Sequence, residues 1–134
     1  MAVIKWRDSY NTGVGKIDEE HKQLVELIET MHSVIRDGAS LTKVSEVLTK
    51  LSDYTEFHFN NEEKLMEEYN FPEMETHKQE HERLKKEVEQ FSTKLSEKYP
   101  DGLQDFYLFL REWLIQHILT IDKTLGKYLL NPKQ

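Results

Sequence analysis

The sequence predicts an all-α fold: an up-down-up-down antiparallel four-helix bundle with an irregular N-terminal arm. Three observations carry that expectation. Apolar residues recur at alternating intervals of three and four through four long segments, the spacing of a helix face turned towards a core. Most of the 5 glycines and 3 prolines fall at the ends of those segments. The connections are only a few residues long, which makes consecutive helices antiparallel neighbours. The expected organisation is one domain over residues 1–134, with an arm over about 1–16 and helices over about 17–37, 41–69, 72–97 and 102–130.

The first helix carries Ile17, His21, Leu24, Ile28, Met31 and Ile35 on one face. Asp18 and Glu19 suit its N-terminal dipole, and Gly38 ends it. The second carries Val44, Leu48, Leu51, Thr55, His58, Glu62, Leu65 and Tyr69, and it stops at Asn70 and Pro72. The third, with Glu73 and Glu75 near its start, carries His77, His81, Leu84, Val88, Phe91 and Leu95. After a turn at KYPDG, Asp101 and Gln104 resemble a capping pair for the fourth, which runs through Phe106, Leu110, Leu114, His117, Ile121 and Tyr128.

Composition narrows the chemistry. The absence of cysteine excludes disulfide scaffolds, thiolate metal sites, iron–sulfur clusters and cysteine nucleophiles. A formal charge of −7 opposes the phosphate attraction on which nucleic-acid binding depends, and the same sign disfavours anionic membranes. The N-terminus lacks the regions of a signal peptide, and no long apolar run offers a membrane span, so the expected location is the cytoplasm. Six histidines and the carboxylates are then the strong metal ligands available.

Those histidines fall where apolar residues belong. His21, His58, Glu62, His77, His81 and His117 occupy core-facing positions and come from all four helices. A single histidine on such a face is ordinarily a hydrogen-bonded core residue, and an HxxxE pair is ordinarily an i,i+4 contact. Five imidazoles together have few free backbone partners, because helical backbones are already bonded. In an antiparallel bundle all six positions lie level with one another. HxxxE and HxxxH each place two side chains on one face about 6 Å apart, a spacing suited to one metal or a close pair.

Asp122 lies five residues after His117, about 140° away on a regular α-helix. A π-type widening would bring it to the same site, and a solvent-facing role fits the pattern equally well. His32 is eleven residues from His21, on the order of 16 Å along the axis, and cannot share that site.

Five imidazoles and up to two carboxylates are too many for tetrahedral zinc and too rich in nitrogen for calcium or magnesium. Two first-row transition ions are indicated. If both are six-coordinate, bridging carboxylates, a solvent-derived oxygen bridge and five terminal imidazoles leave one position open. Such a centre can bind a small ligand at one ion and draw electrons from both, which points to iron and dioxygen.

The chain also resembles the hemerythrins, in particular the single-domain bacterial ones, over essentially its whole length. The matching segments are GVGKIDEEHKQL from Gly13, EFHFNNEEKLMEEYNFP from Glu56, HKQEH from His77, and WLIQHILTID ending at Asp122. The ordered set H, HxxxE, HxxxH, HxxxxD is specific where any one part is not. The resemblance implies that His77, His81 and His117 hold one iron and His21 and His58 the other. Glu62 and Asp122 bridge them beside an oxo or hydroxo group. It implies reversible dioxygen binding on the iron with two histidines, for oxygen storage, transport or delivery, and no enzymatic turnover.

Apolar residues one turn from the ligands should keep water from the bound oxygen, and Leu24, Phe59, Trp113, Leu114 and Ile118 are expected to line the site or its access route, as well as packing the core. Glu63 is expected to be solvated rather than a third bridge. A monomer is the default expectation, with dioxygen and a protein recipient of oxygen as partners. The competing readings are an oxygen or redox sensor acting through a partner protein, and an iron-handling or oxidase protein with a carboxylate-rich site.

Overall fold

The computed structural model of the chain describes residues 5–38, 40–98 and 102–131, leaving aside the side chains of 95–98 and 118–119. Four antiparallel rods make up the molecule, and there is no strand among the described residues. Three are single helices, α1 (Gly15–Arg36), α2 (Leu41–Glu68) and α3 (Met74–Lys98). The fourth is compound: α4 (Leu103–Gln116) runs into a π-helical turn (His117–Asp122), and α5 (Lys123–Leu130) continues the rod. α1 packs on α2 and α4, and α3 closes the ring between α2 and α4, as an up-down-up-down bundle requires.

Local chemistry places each boundary. Asp18, in the first turn of α1, reaches back over the arm: its carboxylate accepts from the Thr12 amide at 2.7 Å, the Thr12 hydroxyl at 2.8 Å and the Gly13 amide at 3.1 Å. This ties the arm, which holds a 3₁₀ turn at Asp8–Tyr10, to the bundle and starts α1 at Gly15, slightly earlier than the periodicity indicates. Gly38, at a φ of 72°, follows the end of α1. Ser40 caps α2 by accepting from the Lys43 amide.

α2 ends in a Schellman turn. Asn70 takes a φ of 53°, the Phe71 amide donates to the Met66 carbonyl at 2.9 Å, and the Asn70 amide donates to that of Glu67. Pro72 sits in the turn before α3. Gly102 is the N-cap of α4, without a side-chain cap bond, and the expected capping residue Asp101 lies outside the described residues.

The apolar core falls into two pieces. The larger joins Leu24, Ile28 and Met31 of α1 to Leu51 and Phe59 of α2, Leu84 of α3, and Phe106, Leu110 and Leu114 of α4. The smaller gathers Ile17, Met66, Phe71 and Leu125. On α1, α3 and the fourth rod the predicted histidines and carboxylates lie in the interval between the two, and on α2 Phe59 of the larger piece sits between His58 and Glu62, so a buried polar layer separates the two apolar pieces.

Candidate metal centre

All seven ligand candidates meet in that layer. His21, His58, Glu62, His81 and Asp122 have no solvent exposure, and His77 and His117 are buried to within a few per cent. α1 supplies His21, α2 His58 and Glu62, α3 His77 and His81, and the π turn both His117 and Asp122. The extra backbone residue taken up by the turn brings Asp122 round, and its Oδ2 lies 2.9 Å from His117 Nε2.

The ring nitrogens converge on the two carboxylates. Glu62 faces the imidazoles with a different oxygen on each side. Its Oε1 lies 2.9 Å from His81 Nε2, 3.5 Å from His77 Nε2 and 3.9 Å from His117 Nε2. Its Oε2 lies 3.1 Å from His58 Nε2 and 3.6 Å from His21 Nε2. Asp122 turns Oδ1 to His77 at 3.2 Å and Oδ2 to His21 at 2.6 Å and His58 at 3.8 Å. Glu62 therefore divides the histidines into a set of three and a set of two. On Asp122 the exception is His117, whose nearer oxygen is the one that also faces His21.

Two overlapping groups of donor atoms, each within 4.8 Å, result: His21, His58, Glu62, His117 and Asp122, and Glu62, His77, His81, His117 and Asp122. Both carboxylates and His117 belong to both groups. The cluster can hold a metal pair, with Glu62 and Asp122 within reach of both groups.

Its hydrogen bonding fits cations better than protons. His58 Nε2, His77 Nε2, His117 Nε2, Glu62 Oε2 and Asp122 Oδ1 all point into the cluster, are buried, and have no hydrogen-bond partner. Buried polar atoms left so are costly, and a metal ion would satisfy several lone pairs at once. The electrostatics agree. Burial opposes charge on His77, but Asp122 and Glu62 outweigh it and push its pKa up to about 9. Burial is outweighed at His21 by Asp122 and Glu62, and at His58 by Glu62, Asp122 and Glu20, so both are raised. Glu62 and Asp122 are held well below the usual carboxylate range despite their burial, by the surrounding imidazoles. At His117 burial wins and the pKa falls. The two carboxylates favour positive charge in the pocket, and His21, His58 and His77 are the imidazoles drawn towards it.

Outside this layer two carboxylates brace it. Glu20 Oε1 accepts from His58 Nδ1 at 2.7 Å, and Glu63 Oε2 accepts from His81 Nδ1 at 2.9 Å. Glu63, expected to be solvated, is instead only partly exposed and pairs with His81. Both pairings join different helices, so no sequence spacing could have revealed them.

Of the expected apolar lining, Leu24, Phe59, Trp113 and Leu114 are buried together in the larger core piece. Phe59 stacks on the His81 ring, nearly parallel at 3.9 Å, and tilts against His58 and His117. Trp113 donates Nε1–H to the Leu84 carbonyl at 3.2 Å. With His117 it lines a surface groove of about 510 Å³ between α3 and α4. The Ile118 side chain lies outside the described residues. His32 stays apart, buried against Tyr107 with ring centroids 4.7 Å apart.

Residues 12–129 match the family model described as "Hemerythrin HHE cation binding domain". The chain belongs to the hemerythrin family. It is 30% identical over 125 residues to a bacteriohemerythrin of Clostridium acetobutylicum, covering 90% of this chain and 97% of that one. Its identity to a Pseudomonas aeruginosa bacteriohemerythrin is 35% over 124 residues, or 91% of this chain and 78% of the other. A crystal structure of wild-type hemerythrin superimposes with a TM-score of 0.84 at 29% identity, covering 96% of this chain and 98% of that one. Hemerythrin membership and the buried donor set together identify a di-iron, dioxygen-binding centre. No helix among the described residues is long and apolar enough to cross a membrane.

Proposed function

We propose that this hemerythrin binds dioxygen reversibly for storage, transport or delivery. His77, His81 and His117 would hold one iron and His21 and His58 the other, with Glu62 and Asp122 shared between them beside an oxo or hydroxo group. The open coordination position would lie on the ion with two histidines. When bound, the iron pair supplies one electron from each ion to a dioxygen and recovers them on release. The observation that carries this reading is the division made by Glu62, whose two oxygens face three imidazoles and two respectively.

The protein's own residues supply position and dryness. Four rods fix the seven donors, so the site needs little rearrangement to bind a metal pair. Leu24, Phe59, Trp113 and Leu114 exclude the water and protons that would release reduced oxygen and leave ferric iron behind. Among the described groups the carboxylates facing the histidines are engaged with imidazoles, which favours binding over turnover. We read the chain as a carrier rather than an enzyme, acting as a monomer in the cytoplasm, with a protein recipient of its oxygen.

The test is to reduce the iron-loaded protein, admit oxygen, and follow the ultraviolet-visible spectrum through repeated oxygenation and argon flushing. Bands that appear and vanish over successive cycles are expected. One-way oxidation on first exposure to oxygen would overturn the reading in favour of a sensor, oxidase or iron-handling protein.

A further inference from the structure

The outer nitrogens of the five imidazoles are not alike. His58 Nδ1–H donates to Glu20, and the other oxygen of Glu20 accepts from Asn61 Nδ2 at 2.9 Å. His81 Nδ1–H donates to Glu63. The Nδ1 atoms of His21 and His117 are buried without a hydrogen-bond partner. With the iron assignment proposed above, each ion then has one imidazole anchored by a carboxylate.

The two anchors differ in strength. The Glu20 side chain is 9% exposed and that of Glu63 is 26% exposed, so water screens the first less. Glu20 comes from α1 and is clamped between His58 and Asn61, which lie three residues apart on one face of α2. Glu63 has no such clamp among the described contacts. Glu20 also acts on one of two imidazoles, where Glu63 acts on one of three.

A carboxylate on the outer N–H of a ligating histidine fixes its tautomer and ring angle, and makes the inner nitrogen a stronger donor. We propose that Glu20, braced by Asn61, is the positioning residue that sets how readily the ion with the open position gives up its electron, and through this the oxygen affinity of the centre. The inference rests on the di-iron reading and adds to it a residue on α1 that is not itself a ligand. Because dioxygen binding draws an electron from that ion, a weaker His58 donor favours the ferrous state and lowers affinity.

The experiment compares the wild type with Glu20→Gln, Asn61→Ala, Glu63→Gln and the exposed charge control Glu26→Gln. In the iron-loaded proteins it reads midpoint potential and oxygen affinity. In the zinc-loaded proteins, where no redox chemistry occurs, it reads solvent exchange of the His58 Nδ1 proton by NMR. Glu20→Gln should shift the ferric–ferrous equilibrium about tenfold towards ferrous, about 59 mV for one electron, and weaken oxygen binding. It should also speed exchange of that proton about tenfold. Asn61→Ala and Glu63→Gln should shift the potential less in the same direction, and Glu26→Gln should match the wild type. Wild-type potential and wild-type proton exchange in Glu20→Gln would overturn the proposal. If that variant loads no iron, wild-type exchange in its zinc form, or a wild-type potential in Asn61→Ala, overturns it equally. A wild type that never oxygenates reversibly counts instead against the carrier reading, and the zinc measurement still decides the role of Glu20.

Discussion

His117 and Asp122 open and close one turn of π-helix and face each other across it, His117 Nε2 lying 2.9 Å from Asp122 Oδ2. Five residues apart on an α-helix they would point about 140° from one another. The wider turn makes one rod contribute an imidazole and a carboxylate that both belong to both donor groups.

Loss of a cluster residue should therefore be read in metal content rather than in fold. His58→Ala and Asp122→Ala are expected to fall well below two irons per chain while keeping the helical circular-dichroism spectrum. His32→Ala, whose ring packs on Tyr107 away from the cluster, should still hold about two. Elemental analysis of reconstituted protein checks all three.

Much of this was legible in the amino-acid sequence because a buried polar layer interrupts a period that is otherwise apolar. His21, His58, Glu62, His77, His81 and His117 each replace a Leu or Ile in their column, and antiparallel connections put them level. Asp122 was legible only in part, since its five-residue spacing is out of phase unless the helix widens, and periodicity does not encode a π turn. Glu20 and Glu63 were hidden for another reason. They lie beside core positions on their own helices and meet His58 and His81 only when different helices pack together. The grip of Asp18 on Thr12 and Gly13 was missed likewise, because it fixes the arm as well as the helix start.

Phe59 stacks its ring on His81 and is almost wholly buried. Phe59→Ala leaves a cavity against a ligand, with a cost of about 3–5 kcal/mol from lost burial and unfilled volume. Denaturant unfolding should show that loss. The oxygenated protein should also autoxidise roughly tenfold faster, because water gains access to the centre.

Proton competition follows from the raised pKa of His77, about 9 in the metal-free protein. At pH 7 that imidazole is a cation and its inner lone pair is taken up, so metal must displace the proton. Apparent metal affinity should climb with pH up to about 9, by about tenfold per unit for each proton displaced. Chelator competition at several values below pH 9 measures the slope, and a flat profile would count against His77 as a ligand. The same shift has the opposite sign for the metal-free fold. Folded His77 keeps a proton that the unfolded chain has lost, so its contribution is full below pH 6.5 and disappears as pH rises through about 9.

The arm packs closely over Gly126. A Cβ at Gly126 would come 2.7 Å from the Thr12 Cβ and 2.9 Å from its carbonyl oxygen. Gly126→Ala should push the arm off α5, strain the Asp18 bonds and cost about 1–3 kcal/mol. A fall in melting temperature would register it, with metal content near that of the wild type.

The most direct measurement of the central claim is an anomalous difference map at the iron edge from crystals of the loaded protein. Two peaks are expected in the buried layer, both within bonding distance of Glu62 and Asp122, one beside His77, His81 and His117 and the other beside His21 and His58. A single peak, no peak, or iron held elsewhere by these side chains would contradict it.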